Sequence, residues 1–124
     1  MNKSTIIALL LSFLSLSAWA QPVFNPQSAP KREVRAVWLT TIGGLDWPHN
    51  YAQAYRSRIK QQEELRTLLD KYQQAGINTI LLQTRIRATT IYPSAYEPWD
   101  GCLSGKPGVS PDYDALAFAI EECH

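Results

Sequence analysis

Apolar and polar positions alternate with different periods along the chain, and the changes of period mark its elements. Residues 35–41 (RAVWLTT) are apolar in the middle and β-branched at the end, which predicts a strand. From about Ser57 to Ala75 the period lengthens. Leu65, Leu68, Leu69 and Tyr72 recur at i, i+3, i+4 and i+7, while Glu63, Glu64, Arg66, Asp70 and Lys71 take the other side, so an amphipathic helix is predicted. Gly76 is its natural stop. Residues 77–83 (INTILLQ) form a short apolar run partly built of β-branched residues, as in a strand of a parallel sheet covered on both faces. Strand, helix and strand in this order make a βαβ unit with parallel strands and a right-handed crossover. Asp114 can cap a last helix through Ala115, Leu116, Phe118, Ala119 and Ile120.

Between the second strand and that helix lies a long connection, residues 84–112, rich in Pro and Gly. Connections of this length within a domain are usually functional. Two strands and two helices cannot close a sheet or cover both its faces. The fold class is therefore α/β, with the chain as the N-terminal portion (strand, helix, strand, loop, helix) of a larger barrel or open sheet. A (β/α)8 barrel needs about 250 residues.

Ahead of the first strand the pattern is different. Lys3, the apolar run from Ile6 to Leu16 and the small-x-small signal Ala18-Trp19-Ala20 have the three parts of a secretory signal peptide over residues 1–20. The apolar run is shorter than the roughly 20 residues of a membrane span; an N-terminal anchor helix is the alternative. Residues 21–32, with Pro22, Pro26 and Pro30, read as a flexible leader, and residues 33–124 as the partial barrel domain. The expected location is secreted or periplasmic, with no integral membrane segment after signal removal.

Charge narrows the partners. Loss of Lys3 leaves 11 Lys and Arg against 11 Asp and Glu, a formally neutral chain without basic clusters, so nucleic acid and anionic membrane are not expected. Cys102 and Cys123 would meet an oxidising compartment, and their pairing is left open by two cysteines alone. Neither they nor His49 and His124 have metal-ligand spacing. Gly43-Gly44 lacks the GxGxxG pattern, and there is no phosphate loop or GxSxG elbow, so no cofactor or metal is expected.

What remains is a set of polar and aromatic groups just beyond the two strand ends. The glycines at 43 and 44 permit a turn presenting Asp46 and Trp47. Gln83, Arg85 and Arg87 would share a face if the second strand continued. Tyr92, Tyr96 and Trp99 lie in the following loop. Aromatic rings can stack on the apolar faces of sugars while Arg and carboxylates bind hydroxyls. Two structural alternatives stand beside this reading: the aromatics pin the loop to the rim, and Arg85 pairs with Glu97.

Three segments, residues 35–48 (RAVWLTTIGGLDWP), 76–108 (GINTILLQTRIRATTIYPSAYEPWDGCLSGKPG) and 113–124 (YDALAFAIEECH), resemble the N-terminal part of the family 10-like glycosyl hydrolases, which are exported bacterial proteins. The most specific piece is strand-Gln-x-Arg followed by Tyr-Pro-Ser and Glu-Pro-Trp. The resemblance implies a (β/α)8 barrel acting on glycosidic bonds of a polysaccharide by carboxylate acid–base chemistry, with peptidoglycan glycan strands as a candidate substrate; the alternatives are a non-catalytic glycan-binding or envelope structural module and an inactive truncated product. It matches Asp46, Gln83, Arg85 and Tyr92 to positions near the cleft, while Glu97 belongs to the motif. Thr84 and Ala115 stand where the family more often has Val and Pro, and the two cysteines are not family features. The substrate-binding set is therefore Asp46, Trp47, Gln83, Arg85, Tyr92 and Trp99. The catalytic carboxylates are unknown: of Asp46, Glu97 and Asp100 none has a credible partner in the segment, and the pair is expected beyond residue 124.

Overall fold

The computed structural model describes residues 33–124. The signal peptide (residues 1–20) and the leader (residues 21–32) expected from the sequence lie outside the described residues.

Strand β1 (Ala36–Leu39) and strand β2 (Thr79–Leu82) pair in parallel, with Ala36 opposite Thr79, Trp38 opposite Leu81 and Leu39 opposite Leu82. Helix α1 (Tyr55–Gln74) joins them, so the expected βαβ order is present. Both strands are shorter than their sequence patterns: Arg35, Ile77 and Asn78 lie ahead of them, and past their ends Thr40 and Thr41 turn to the Gln83 side chain while Gln83 N still donates to the Leu39 carbonyl. Helix α1 starts where the Ser57 hydroxyl accepts from the backbone N–H groups of Gln53 and Ala54. It ends at Gly76, whose φ of +80° is left-handed and cheap only for glycine.

The predicted stripe is the buried one. Leu65 is in the core, with Leu68, Leu69 and Tyr72 against it, facing Leu39, Ile80 and Leu82. Helix α3 (Ala115–Cys123) begins as expected, Asp114 Oδ1 accepting from Ala117 N at 2.9 Å. It buries Ala115 and Ala119 in the same cluster. Arg66 of α1 reaches across to it, donating to Glu122 at 2.7 Å and lying 5.0 Å above the Phe118 ring.

Two strands and two helices were expected to leave part of the sheet uncovered, and they do. Among the described residues both helices bury the side holding Leu39, Ile80 and Leu82, while Trp38 and Leu81 on the opposite side are 64% and 47% exposed. A groove of about 290 Å³ also remains between β2 and α3, lined by Ile80, Leu82, Leu116 and Ile120 among others.

The connection of residues 84–112 is more ordered than its composition suggests. A hairpin of β3 (Arg85–Ile86) and β4 (Thr89–Thr90) leads, through a bridge between Thr90 and Trp99, to the one-turn helix α2 (Gly101–Ser104). Ile86, Ile91, Cys102 and Leu103 anchor it in the core. The hairpin turn holds Arg87 and Ala88 at φ +47° and +63°, a conformation that costs a non-glycine residue roughly 1–2 kcal/mol. Cys102 is a buried free thiol and Cys123 an exposed one, so the two do not pair. No helix among the described residues is long and apolar enough to cross a membrane.

Candidate functional site

The C-terminal tips of β1 and β2 are tied together by a single side-chain oxygen. Gln83 Oε1 accepts from Thr40 Oγ1 at 2.6 Å, from Thr41 N at 3.0 Å and from Ile42 N at 3.1 Å. Thr41 returns the contact, its hydroxyl donating to the Gln83 carbonyl at 2.8 Å. These donors exist because the chain leaves β1 abruptly. A short 3-10 turn over Ile42–Gly44 folds back, and Asp46 N donates to the Thr40 carbonyl at 3.3 Å. Asp46 Oδ2 in turn accepts from Thr40 N at 2.8 Å. Thr40 thus links a carboxylate and an amide at the mouth of two parallel strands.

Neither group is exhausted by these bonds. The Gln83 amide NH₂ and the second Asp46 oxygen have no hydrogen bond within the described residues, and no unpartnered polar side-chain atom is buried there. Both therefore face solvent, where hydroxyl groups of a ligand can reach them. Thr40 lies just past the end of β1, the strand that carries the exposed Trp38. A half-open polar rim thus follows an apolar strand.

Trp47 is corrected out of this site. Its side chain is fully buried, and Nε1 donates to the Gln61 carbonyl at 2.9 Å. Its large ring fills the space beneath the turn, where it can stack on no ligand. Gln61, buried as well, donates to the Leu103 carbonyl at 3.0 Å and accepts from the Tyr113 hydroxyl. This polar knot joins the loop after β1 to the loop after β2, and burial drives the Tyr113 phenol upward in pKa.

Arg85 does not extend β2. The strand ends at Leu82, and the turn at Arg87 and Ala88 removes the shared face expected for Gln83, Arg85 and Arg87. Instead the exposed Arg85 grips Glu97 two-handed: Nε lies 2.7 and 2.8 Å from its oxygens, and Nη2 donates as well. The ion pair weighed as the competing explanation is what forms. It brings residues 12 apart together and closes the loop holding Tyr92 and Tyr96. The hydrogen bonds from Arg85, followed by its charge, hold the Glu97 carboxyl below the usual range and outweigh desolvation. Tyr92 is half-buried beside this pair.

Trp99 is half-buried and packs against the core while its carbonyl accepts from Gly108 N at 2.8 Å, so it pins the loop. Asp100 accepts from Thr89 Oγ1 at 2.5 Å and from Cys102 N at 2.8 Å. Desolvation raises its pKa, but these bonds and the charge of Arg87 prevail and lower it. His49 Nδ1 lies against the Glu64 carboxylate of α1. Thr40, Trp38 and Tyr96 were absent from the expected set. The alternation in RAVWLTT could have flagged Trp38, which lies on the face opposite the buried Leu39.

Residues 33–124 match the family model described as Glycosyl hydrolase-like 10. The chain is 35% identical over 122 residues to the protein named glycosyl hydrolase YngK of Bacillus subtilis (strain 168), an overlap of 98% of this chain and 23% of that relative. It is 34% identical over 118 residues to the protein named glycosyl hydrolase DigH of Escherichia coli (strain K12), 91% of this chain and 26% of that relative. The chain thus spans about a quarter of the length of these curated relatives.

Proposed function

The chain belongs to the glycosyl hydrolase-like 10 family, and from that premise we propose that it forms the N-terminal part of an exported glycoside hydrolase cleaving a polysaccharide, with bacterial cell-wall glycan as substrate. The fold of the whole protein on this reading is a (β/α)8 barrel. The uncovered face of Trp38 and Leu81 and the apolar groove between β2 and α3 support it, since both are surfaces that further strands would cover.

The observation that carries the reading is the Thr40 junction. Asp46 and Gln83, fixed by Thr40 at the C-terminal tips of parallel strands, stand where α/β barrels bind ligands. Their remaining acceptor and donors suit sugar hydroxyls. Hydrolysis needs two carboxyl groups about 5–5.5 Å apart for retention or about 6.5–9.5 Å for inversion. Glu97 and Asp100 are taken up by Arg85 and Thr89, and Asp46, held by Thr40 through one oxygen, has neither of them as a free partner, so on this reading the acid–base pair is completed from other strand ends of the whole protein. This segment binds and orients. The engagement of all three carboxylates also favours a second reading, a non-catalytic glycan-binding module on the same barrel.

The test is to incubate the whole protein with purified peptidoglycan glycan strands and follow new reducing ends. Turnover that falls in Asp46→Asn with an unchanged melting temperature supports the proposal. Strands that bind without being cut favour the binding module. A protein that neither binds nor cuts them overturns both.

A further inference from the structure

We propose that Gln61 of α1 is a positioning residue: from beneath the C-terminal face it locks the loop after β1 to the loop after β2 and so fixes the turn that carries Asp46. This inference rests on the glycan reading of the rim and adds the residue that holds that rim in place.

Gln61 is fully buried and lies one turn ahead of Leu65, on the stripe where the helix otherwise places apolar side chains. A leucine there would serve the core and need no hydrogen-bond partner. The amide instead reaches three separate segments. Its Nε2 donates to the carbonyls of Asn50 and Leu103, the latter at 3.0 Å, and Oε1 accepts from the Tyr113 hydroxyl. Burial keeps the Tyr113 phenol protonated and therefore a donor. The two loops also touch directly. Ala52 N donates to the same Leu103 carbonyl at 2.7 Å, and a Cβ at Gly105 would lie 3.0 Å from both the Tyr51 ring and the Gln53 amide.

The link to the rim runs through Trp47. Its indole donates to the Gln61 backbone carbonyl at 2.9 Å, while its own N–H and that of Asp46 donate to the Thr40 carbonyl at 3.4 and 3.3 Å. The segment from Thr40 to Asn50 is thus fastened at Thr40, where Asp46 meets the strand tip, and again on Gln61 through Trp47 and Asn50. A buried amide with every bond made specifies one arrangement of its neighbours, which an apolar side chain does not. An apolar replacement would fill the same space and lose that arrangement. Chemistry at the rim is sensitive to such a loss, since a misplacement of about 1 Å caused by a distant change can cost about 100-fold in rate.

The experiment compares the native whole protein with Gln61→Met, which keeps the length of the side chain but none of its hydrogen bonds, and with Tyr113→Phe, which removes one hydroxyl. Both kcat and KM on peptidoglycan glycan strands are measured per folded molecule, well below each melting temperature, alongside amide hydrogen exchange. Gln61→Met is expected to lower kcat/KM about 10- to 100-fold, chiefly through kcat because orientation is lost rather than contact. It also speeds exchange in residues 45–53 and 101–105 while β1 and β2 keep native protection. Tyr113→Phe shifts both readouts in the same direction by less, and it carries the test alone if Gln61→Met does not fold. Native kcat/KM in folded Gln61→Met, or in Tyr113→Phe where that variant stands alone, overturns the proposal, as does lost turnover without faster loop exchange. A native protein that neither binds nor cuts glycan overturns the rim reading, and the exchange measurement then decides on its own whether Gln61 locks the loops.

Discussion

Replacing Gln83 by Leu removes an acceptor that three donors share, leaving Thr40, Thr41 and Ile42 to find water. Leaving such donors unmet costs about 1–3 kcal/mol, and denaturant unfolding of the whole protein should register it. Trp47→Ala is the harsher change. The indole is fully buried, and emptying such a site costs about 3–5 kcal/mol; little folded protein is expected. Arg85→Ala should instead leave the unfolding midpoint nearly unchanged, since its partner bond is on the surface, while glycan turnover falls because the loop carrying Tyr92 and Tyr96 is released. If Glu97→Gln reproduces that loss, Arg85 works through the loop; if only the Arg85 variant loses turnover, its guanidinium touches the ligand. Ala88→Gly relieves a left-handed alanine and should stabilise by up to about 1 kcal/mol, the steric gain exceeding the entropy cost of glycine.

At the level of elements, the loop after β2 should respond to acid. Glu97 titrates below its ordinary value of 4.5 because Arg85 stabilises its charged form. The contribution of the pair is therefore complete above that ordinary value and disappears as pH falls through the depressed one. NMR line widths of residues 94–97 should broaden on that descent, and Glu97→Gln should show no such step. What was legible beforehand follows the same division between elements and loops. The stripe of Leu65, Leu68, Leu69 and Tyr72, the stop at Gly76 and the cap at Asp114 were readable because each is a local relation within about two helical turns. The fate of Trp47 and the clamp on Gln83 were not, since each depends on partners brought near by folding: Gln61 for the indole and Thr40, 43 residues away, for the amide. An Arg-to-Glu pairing was foreseeable in kind, but the left-handed turn that takes Arg85 off the strand was not, because Arg87 and Ala88 carry none of the usual Asn or Gly signals.

For the molecule as a whole, the one-sided cover of the β1–β2 pair governs its behaviour in solution. With Trp38 and Leu81 bare and both strand edges unpaired among the described residues, a preparation of residues 33–124 alone should self-associate rather than melt in one sharp, concentration-independent step. Trp38→Ser with Leu81→Ser should reduce that association in light scattering. The same asymmetry bears on biosynthesis. Domains generally fold as units, N-terminal parts first, as the chain leaves the ribosome. Once Cys123 has emerged, the helix-backed side can close upon Leu39, Leu65 and Ala119 while the tryptophan side still waits for company. A nascent intermediate of that kind holds a largely covered back and a sticky front, and a chaperone that grips aromatic surface would find its handle at Trp38.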